Sequence, residues 1–243
     1  MTGPEITVVI PTFDRPDRLR RALEGTLRHH DGVAIEVVVV DDGSTDEGAV
    51  ATAVATATRG NTVPVSLVRQ ANQGPAAARN AGAAAAAGAV VLFLDDDCVP
   101  DPGCIGTHRA VQACATASSE GLAVLGRARW DPDLPVSPLM HVAMRGAQFD
   151  YDGIADPNDV PFSRFYTACA SMPRERFLGM GGFDTTLPRY AAGEDTEFAW
   201  RWVQGGGRIA YRANATVRHD HHLELRPFLE RQRRAGQIGR AHV

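Results

Sequence analysis

Apolar residues cluster in short runs divided by segments of helical spacing. Ile6 to Ile10, Ile35 to Val40 and Ala89 to Leu94 are predominantly apolar runs of strand length, the pattern of strands buried on both faces, and Val63 to Val68 reads as another strand. Between them Leu19, Leu23 and Leu27 recur every fourth residue and predict a helix from Pro16 to His29. Glu47 to Arg59 and the Ala-rich Pro75 to Ala87 read as two more helices. Strand and helix thus alternate through Leu94, which implies a parallel, doubly wound α/β sheet.

The pattern then changes. Between Trp130 and Tyr166 regular periodicity fades into a stretch rich in Pro, Asp and aromatic residues, at a length that usually marks a functional loop or lid. Its aromatics, Trp130, Phe149, Tyr151, Phe162, Phe165 and Tyr166, are suited either to stacking on a ligand or to packing among themselves. Beyond it the sequence predicts a short strand from Thr167 to Met172 and a helix near Arg174 to Leu178. A helix from Glu194 to Gln204 is stopped by Gly205-Gly206-Gly207, and strands follow near Ile209 and Val217. A basic helix spans Leu225 to Gln237. There and just beyond, Arg226, Arg231, Arg233, Arg234 and Arg240 accompany Phe228, Leu229 and Ile238. The favoured reading is a solvated helix packing Phe228 and Leu229 on the core with one Arg near the site; the alternative is weak peripheral contact with an anionic membrane.

Composition narrows the chemistry. The chain has 243 residues, 44% of them hydrophobic, enough for one sizeable core, and its net charge of −4 gives no electrostatic footprint for nucleic acid. All 25 basic residues are Arg. The absence of Lys excludes a P-loop lysine, a Schiff-base lysine and a pyridoxal-phosphate anchor. Cys98, Cys104, Cys114 and Cys169 lack paired metal spacing and are expected to be small buried hydrophobes in a reducing cytosol. Gly179-Met180-Gly181-Gly182 lacks the spacing of a dinucleotide-binding fingerprint. Without a leader-like start or an apolar stretch long enough to span a bilayer, the expected location is cytoplasmic.

The acidic clusters carry the chemistry. Asp95-Asp96-Asp97 follows an apolar strand, where three adjacent carboxylates repel unless a cation sits among them. The carboxyl ends of strands are also where open α/β sheets bind ligands. A solvated acidic turn before Pro100 and Pro102 is the plain alternative. A second pair, Asp41-Asp42, ends another strand, so two strands would deliver carboxylates to one crevice. Metal and phosphate are the natural guests.

Six motifs carry a resemblance: Val8-Val9-Ile10-Pro11-Thr12-Phe13-Asp14-Arg15, Val40-Asp41-Asp42-Gly43-Ser44-Thr45-Asp46, Arg79-Asn80-Ala81-Gly82, Leu94-Asp95-Asp96-Asp97, Gly181-Gly182-Phe183-Asp184 and Gly193-Glu194-Asp195. In this order and spacing the chain resembles the inverting family 2 glycosyltransferases of the GT-A fold. The resemblance implies an α/β fold with a Rossmann-like, mostly parallel central sheet flanked by helices and an acceptor-side second half. It further implies one domain over residues 1–243, with 1–125 binding the nucleotide-sugar and 126–243 supplying the acceptor site and catalytic base.

It also implies roles. Pro11, Phe13, Asp42, Arg79 and Asp96 would bind the nucleotide, most simply of a UDP-sugar, with a dTDP-sugar the rival. Asp97 and His219 would hold Mn²⁺ or Mg²⁺, with His221 and His222 as competing ligands. Asp195 would be the catalytic base, and Asp184 and Glu194 would contact donor or acceptor. Plain structural readings stand beside these: Pro11 and Phe13 shaping a turn, Asp41 or Asp42 capping a helix, Arg79 as a surface charge, Asp184 shaping its turn, and Asp195 serving a helix start. The implied activity is metal-dependent inverting transfer of a sugar to a hydroxyl of a saccharide, a lipid-linked intermediate or a small natural product. The alternatives are an inactive sugar-nucleotide-binding protein and a sugar-1-phosphate nucleotidyltransferase; the latter is disfavoured because Pro11-Thr12-Phe13-Asp14 is not a Gly-rich triphosphate loop.

Overall fold

The structure, a computed structural model, describes residues 3–115, 121–187 and 193–241, with side chains at 147 and 234–241 left aside. The first half follows the predicted alternation: β1 (Ile6–Thr12), α1 (Pro16–Arg28), β2 (Ile35–Asp41), α2 (Glu47–Ala57), β3 (Val65–Arg69), α3 (Pro75–Ala85) and β4 (Val90–Leu94). β1 pairs in parallel with β2 and β4, and β2 in parallel with β3. Val8, Val9 and Ile10 of β1 and Val37 to Val40 of β2 are buried, as continuous apolar strands require.

The rest includes β5 (Cys98–Pro100), α4 (Cys104–Ala115), β6 (Leu122–Trp130), α5 (Pro138–Val142), β7 (Cys169–Pro173), α6 (Arg174–Gly179), α7 (Glu194–Gln204), β8 (Arg208–His219) and α8 (Leu225–Ala241), with a short π turn at Ala143–Ala147 and a 3₁₀ turn at Phe162–Arg164. Among the described residues one sheet runs in the order β3-β2-β1-β4-β7-β6-β8-β5. The purely parallel pattern inferred from alternation stops at β4. β7 pairs antiparallel with β4 and β6, β6 is parallel to β8, and β5 is antiparallel to β8. The sheet remains mostly parallel, flanked by helices. The two strands expected near Ile209 and Val217 are one long strand, whose register against β6 shifts between Leu125 and Arg127. α4, β5 and β6 were not foreseen: α4 is rich in small and polar residues, and Gly126, Arg127 and Arg129 interrupt the apolar run of β6.

The Arg79-Asn80-Ala81-Gly82 motif shows how local sequence serves packing. A Cβ at Gly82 would meet a Val9 methyl at 2.3 Å, so only glycine lets α3 approach β1 this closely. Asn80 Nδ2 donates to the Phe183 carbonyl at 2.8 Å, and the Phe183 amide donates back to Asn80 Oδ1 at 2.9 Å. Those two bonds hold the Gly181-Gly182-Phe183 turn against α3. Gly182, at φ +68°, leaves room for the Asn80 amide that a Cβ would strike. Phe183 then buries its ring among Phe93, Phe177 and Phe198.

Two expectations about individual residues change. Phe228 packs with Met140 and Leu223 as predicted, but Leu229 of the same helix is 55% exposed. Three cysteines are buried, whereas Cys114 is exposed on the outer face of α4. Arg234, Ile238 and Arg240 have side chains outside the described residues. No described helix is long and apolar enough to cross a membrane.

Candidate active site

The carboxyl ends of β1, β2 and β4 open onto a cavity of about 440 Å³, closed on the other side by residues of the second half. Asp42, Asp95, Asp96 and Asp97 all line it, so the two acidic clusters do meet in one crevice. Asp41 does not take part: it accepts from the Ser44 amide at 2.9 Å and from Arg69 at 2.5 Å, closing the turn after β2. The helix cap falls to Asp46, which accepts from the Ala49 amide at 2.9 Å.

Asp42 shapes one wall. Oδ1 accepts from Gln70 Nε2 at 2.7 Å and the Gln73 amide at 2.9 Å, while Oδ2 accepts from the Gly74 amide at 2.7 Å. Three of a carboxylate's roughly four acceptor positions are thereby used, leaving one for a ligand. Asn72 and Gly74, on the loop so held, line the cavity together with Pro11, Phe13 and Pro75. Asp14 stiffens the same side: its amide donates to Ser44 Oγ and its carboxylate accepts from the Thr45 amide.

The three carboxylates coexist because guanidinium groups and imidazoles stand among them. Asp95 pairs with Arg79 at 2.7 Å. Arg79 is buried and reaches Glu194 at 3.1 Å as well, so it is no surface charge; it ties the end of β4 to the start of α7. Burial opposes its charge, but the two carboxylates more than compensate and raise its pKa. Asp96 accepts from Thr12 Oγ1 at 2.8 Å and from Arg15 at 3.2 Å. Burial and the neighbouring Asp97 still push Asp96 up to about 7.

Asp97 faces two imidazoles: His219 Nε2 is 3.3 Å from Oδ1 and His221 Nδ1 is 3.1 Å from Oδ2. Burial pushes its carboxyl up, but His219 and His221 outweigh that and hold it well below the usual carboxylate range. The three ligand atoms lie within 4.8 Å of one another. The backbone brings them together, since the Asp220 amide donates to the Asp97 carbonyl at 2.7 Å. Asp220 is paired in turn with Arg21 of α1, and His219 is stacked between Trp130 and His221. His222 is exposed and stands outside this cluster. One carboxylate and two imidazoles, with Asp96 adjacent, form a mixed oxygen and nitrogen donor set able to hold a divalent cation.

Asp195 lines the cavity from the first turn of α7. Its Oδ1 accepts from the Thr196 amide at 2.8 Å. Burial and the Glu194 carboxylate push it up to about 7, against the opposing pull of Arg79. Glu194 is committed to Arg79 and also lines the cavity. Asp184 lies outside the lining; its Oδ1 accepts from the Thr186 amide at 2.8 Å and Oγ1 at 2.7 Å, which shapes the turn. Several lining residues carried no role in the sequence reading: Arg15, Gln148, Thr167 and Ala168. Arg15 stood within a quoted motif, and Arg231 of α8 lines the cavity as well. His221 was only a rival ligand, although its i, i+2 spacing from His219 signals a shared face of an extended segment. Of the aromatics, Phe149 and Tyr166 line the cavity while Tyr151 and Phe165 pack in the core.

A sheet with this topology and an acidic strand end facing a His-bearing strand defines the GT-A class of fold. The mannosyltransferase PcManGT from Pyrobaculum calidifontis, solved with GDP-Man and Mn²⁺, superposes with a TM-score of 0.70 at 18% identity over 100% of this chain and 66% of that one. GalNAc-T7, solved with UDP, GalNAc and Mn²⁺, gives 0.66 at 19% identity over 90% of this chain and 43% of that one. Residues 7–110 match the model of glycosyl transferase family 2. The pre-mycofactocin glycosyltransferase of Mycobacterium tuberculosis is 28% identical over 235 residues, 95% of this chain and 46% of that protein. The validoxylamine A glucosyltransferase of Streptomyces hygroscopicus subsp. jinggangensis is 30% identical over 226 residues, covering 82% and 51% respectively. The chain therefore spans about half the length of these curated relatives.

Proposed function

We propose that the protein transfers a sugar, with inversion, from a nucleoside diphosphate sugar to an acceptor hydroxyl. The observation that carries this reading is that the ligand set Asp97, His219 and His221 and the carboxylate of Asp195 line a single cavity. Asp97, His219 and His221 would hold Mn²⁺, which supplies Lewis-acid stabilisation of the departing diphosphate.

The chain's own residues do the rest. Pro11, Phe13 and Asp42 bound the nucleotide side, and the free acceptor position of Asp42 matches a pyrimidine ring N–H, which favours UDP or dTDP. Arg15, beside Asp96 and Asp97, places positive charge where the diphosphate would lie. Asp195 accepts the proton of the acceptor hydroxyl as its oxygen attacks the anomeric carbon from the face opposite the diphosphate. A pKa near 7 suits a base working at neutral pH. Phe149 and Tyr166 offer ring surfaces on the acceptor side.

The test is a nucleotide-sugar panel scored for donor hydrolysis with and without Mn²⁺, since slow transfer to water requires no known acceptor. Mn²⁺-dependent release of UDP or dTDP is expected, with an inverted sugar product. Metal-independent turnover, or a clear preference for GDP-sugars, would overturn the cation or nucleotide assignment respectively. Binding without turnover of any donor would identify the protein as an inactive sugar-nucleotide binder.

A further inference from the structure

The described residues hold a second set of metal-binding side chains, away from the cavity, in the core between α4 and β7. Cys104 and His108 are one helical turn apart on α4 and share a face. Cys169, the first residue of β7, faces them. Cys104 Sγ is 3.8 Å from Cys169 Sγ, and that sulfur is 3.3 Å from His108 Nε2. The three ligand atoms lie within 4.8 Å of one another, and each residue is at most 1% exposed.

These distances can be compared with those an ion would impose. Two zinc–sulfur bonds of about 2.3 Å at the tetrahedral angle put their sulfurs about 3.8 Å apart, and an imidazole nitrogen about 3.6 Å from each. The sulfur pair already stands at that spacing, and the nitrogen lies a few tenths of an ångström inside it from the Cys169 sulfur. The ring is also oriented from behind. His108 Nδ1 is 2.8 Å from Ser171 Oγ, and Gln112 Nε2 donates to the same hydroxyl at 3.2 Å. With Nδ1 donating to the hydroxyl, the Nε2 lone pair faces the sulfurs, the outer-shell arrangement typical of a metal-bound histidine. Gly126 clears the space beside Cys169, since a Cβ there would stand 2.6 Å from its sulfur.

We propose that Cys104, His108 and Cys169 form a zinc site, with two thiolates and one imidazole as its ligands, stapling α4 to β7. As the ion binds, both thiols lose their protons to solvent and two S–Zn bonds and one N–Zn bond form; no redox change occurs. The competing arrangement is a hydrogen-bonded thiol cluster, in which the bond to Cys169 and burial hold the Cys104 thiol well above the ordinary thiol range. The two clusters of the protein would then sort their ions by donor type: thiolates select zinc, while the Asp97 site with its carboxylate and imidazoles accepts manganese.

The test is to refold the full chain under reductant with Co²⁺ alone. Sulfur-to-Co²⁺ charge-transfer absorption reports only thiolate ligation, so ions at the Asp97 cluster do not contribute. One equivalent of this signal, displaced by Zn²⁺ and accompanied by a higher melting temperature, supports the site. Cys104→Ser and Cys169→Ser should each lose the signal and weaken Co²⁺ binding beyond the ~10–100-fold typical of outer-shell changes. Cys114→Ser, on the exposed face of α4, should keep it, as should Asp97→Asn. A correctly refolded wild-type chain without the signal overturns the proposal, as does loss of the signal in Cys114→Ser. If the Cys104 and Cys169 variants fail to fold, the wild-type and Cys114→Ser measurements still decide.

Discussion

The two walls of the cavity are built by different means. On the nucleotide side, each lining residue sits in or next to a contiguous motif at the end of a parallel strand, and hydrogen bonds from Asp14 and Asp42 fix the loops. On the acceptor side, Phe149, Tyr166, Asp195, His219 and Arg231 come from segments far apart in the chain, gathered by antiparallel returns and aromatic packing. The first wall is preformed by local sequence, whereas the second exists only once the whole sheet is assembled. Arg79 joins them, reaching Asp95 on one side and Glu194 on the other.

The sharpest way to separate the walls is Asp195→Asn. The change is nearly isosteric, so nucleotide binding at the first wall should persist while transfer falls ~10²–10⁴-fold, as removal of a general base does. Calorimetric donor binding beside a steady-state rate measures both. Weakened donor binding with unchanged turnover would reduce Asp195 to a helix-start residue.

Arg79→Met tests the joint itself. Removing the guanidinium leaves Asp95 and Glu194 without their shared partner, and losing one partner of a buried pair costs about 3–5 kcal/mol. The lower end is expected, because the Asp95 side chain is 29% exposed. Denaturant unfolding should show the loss; a stability within experimental scatter of wild type would mean that the walls hold together without the Arg79 bridge.

A smaller effect distinguishes the walls by pH. Asp96 on one wall and Asp195 on the other both titrate near 7 in the folded protein, above the ~3.9 of an unfolded Asp. A raised carboxyl pKa means that the folded state holds the proton more tightly. The stability these groups contribute is therefore present at low pH and lost as pH rises from about 4 to about 7. Mn²⁺ should offset the Asp96 part and stabilise the protein more at pH 8 than at pH 5.5, as thermal melts would show. Turnover at saturating Mn²⁺ should rise about tenfold per pH unit below 7 as Asp195 ionises, and a pH-independent rate across 5.5 to 8 would argue against it as the base.

The same contrast explains what was legible beforehand. β1, β2 and β4 were readable because strands buried on both faces are apolar without interruption, and their carboxyl ends fixed the place of Asp42 and Asp95 to Asp97. Nothing local announces that β7 returns antiparallel beside β4, so the parallel pattern was carried too far. β6 was hidden by Gly126, Arg127 and Arg129, whose residues suit a bulged strand near an edge rather than an apolar run. The pairing of Cys104 with Cys169 across 65 positions was equally invisible, because the i, i+4 relation to His108 has meaning only once α4 is known to face β7.

A paired comparison tests the outermost element of the acceptor wall, α8. Phe228 and Leu229 are adjacent, yet Phe228 is buried against Met140 and Leu223 while Leu229 is 55% exposed. Phe228→Ala should open a cavity in that small cluster and loosen the helix that carries Arg231 to the site, at a cost near the ~3 kcal/mol lower end for core Phe truncation. Leu229→Ala removes mostly solvated surface, so its stability should stay within about 0.5 kcal/mol of wild type. Equal losses for the two variants in thermal melts would mean that α8 presents both residues to the core, and that Arg231 approaches the cavity along a different helix face.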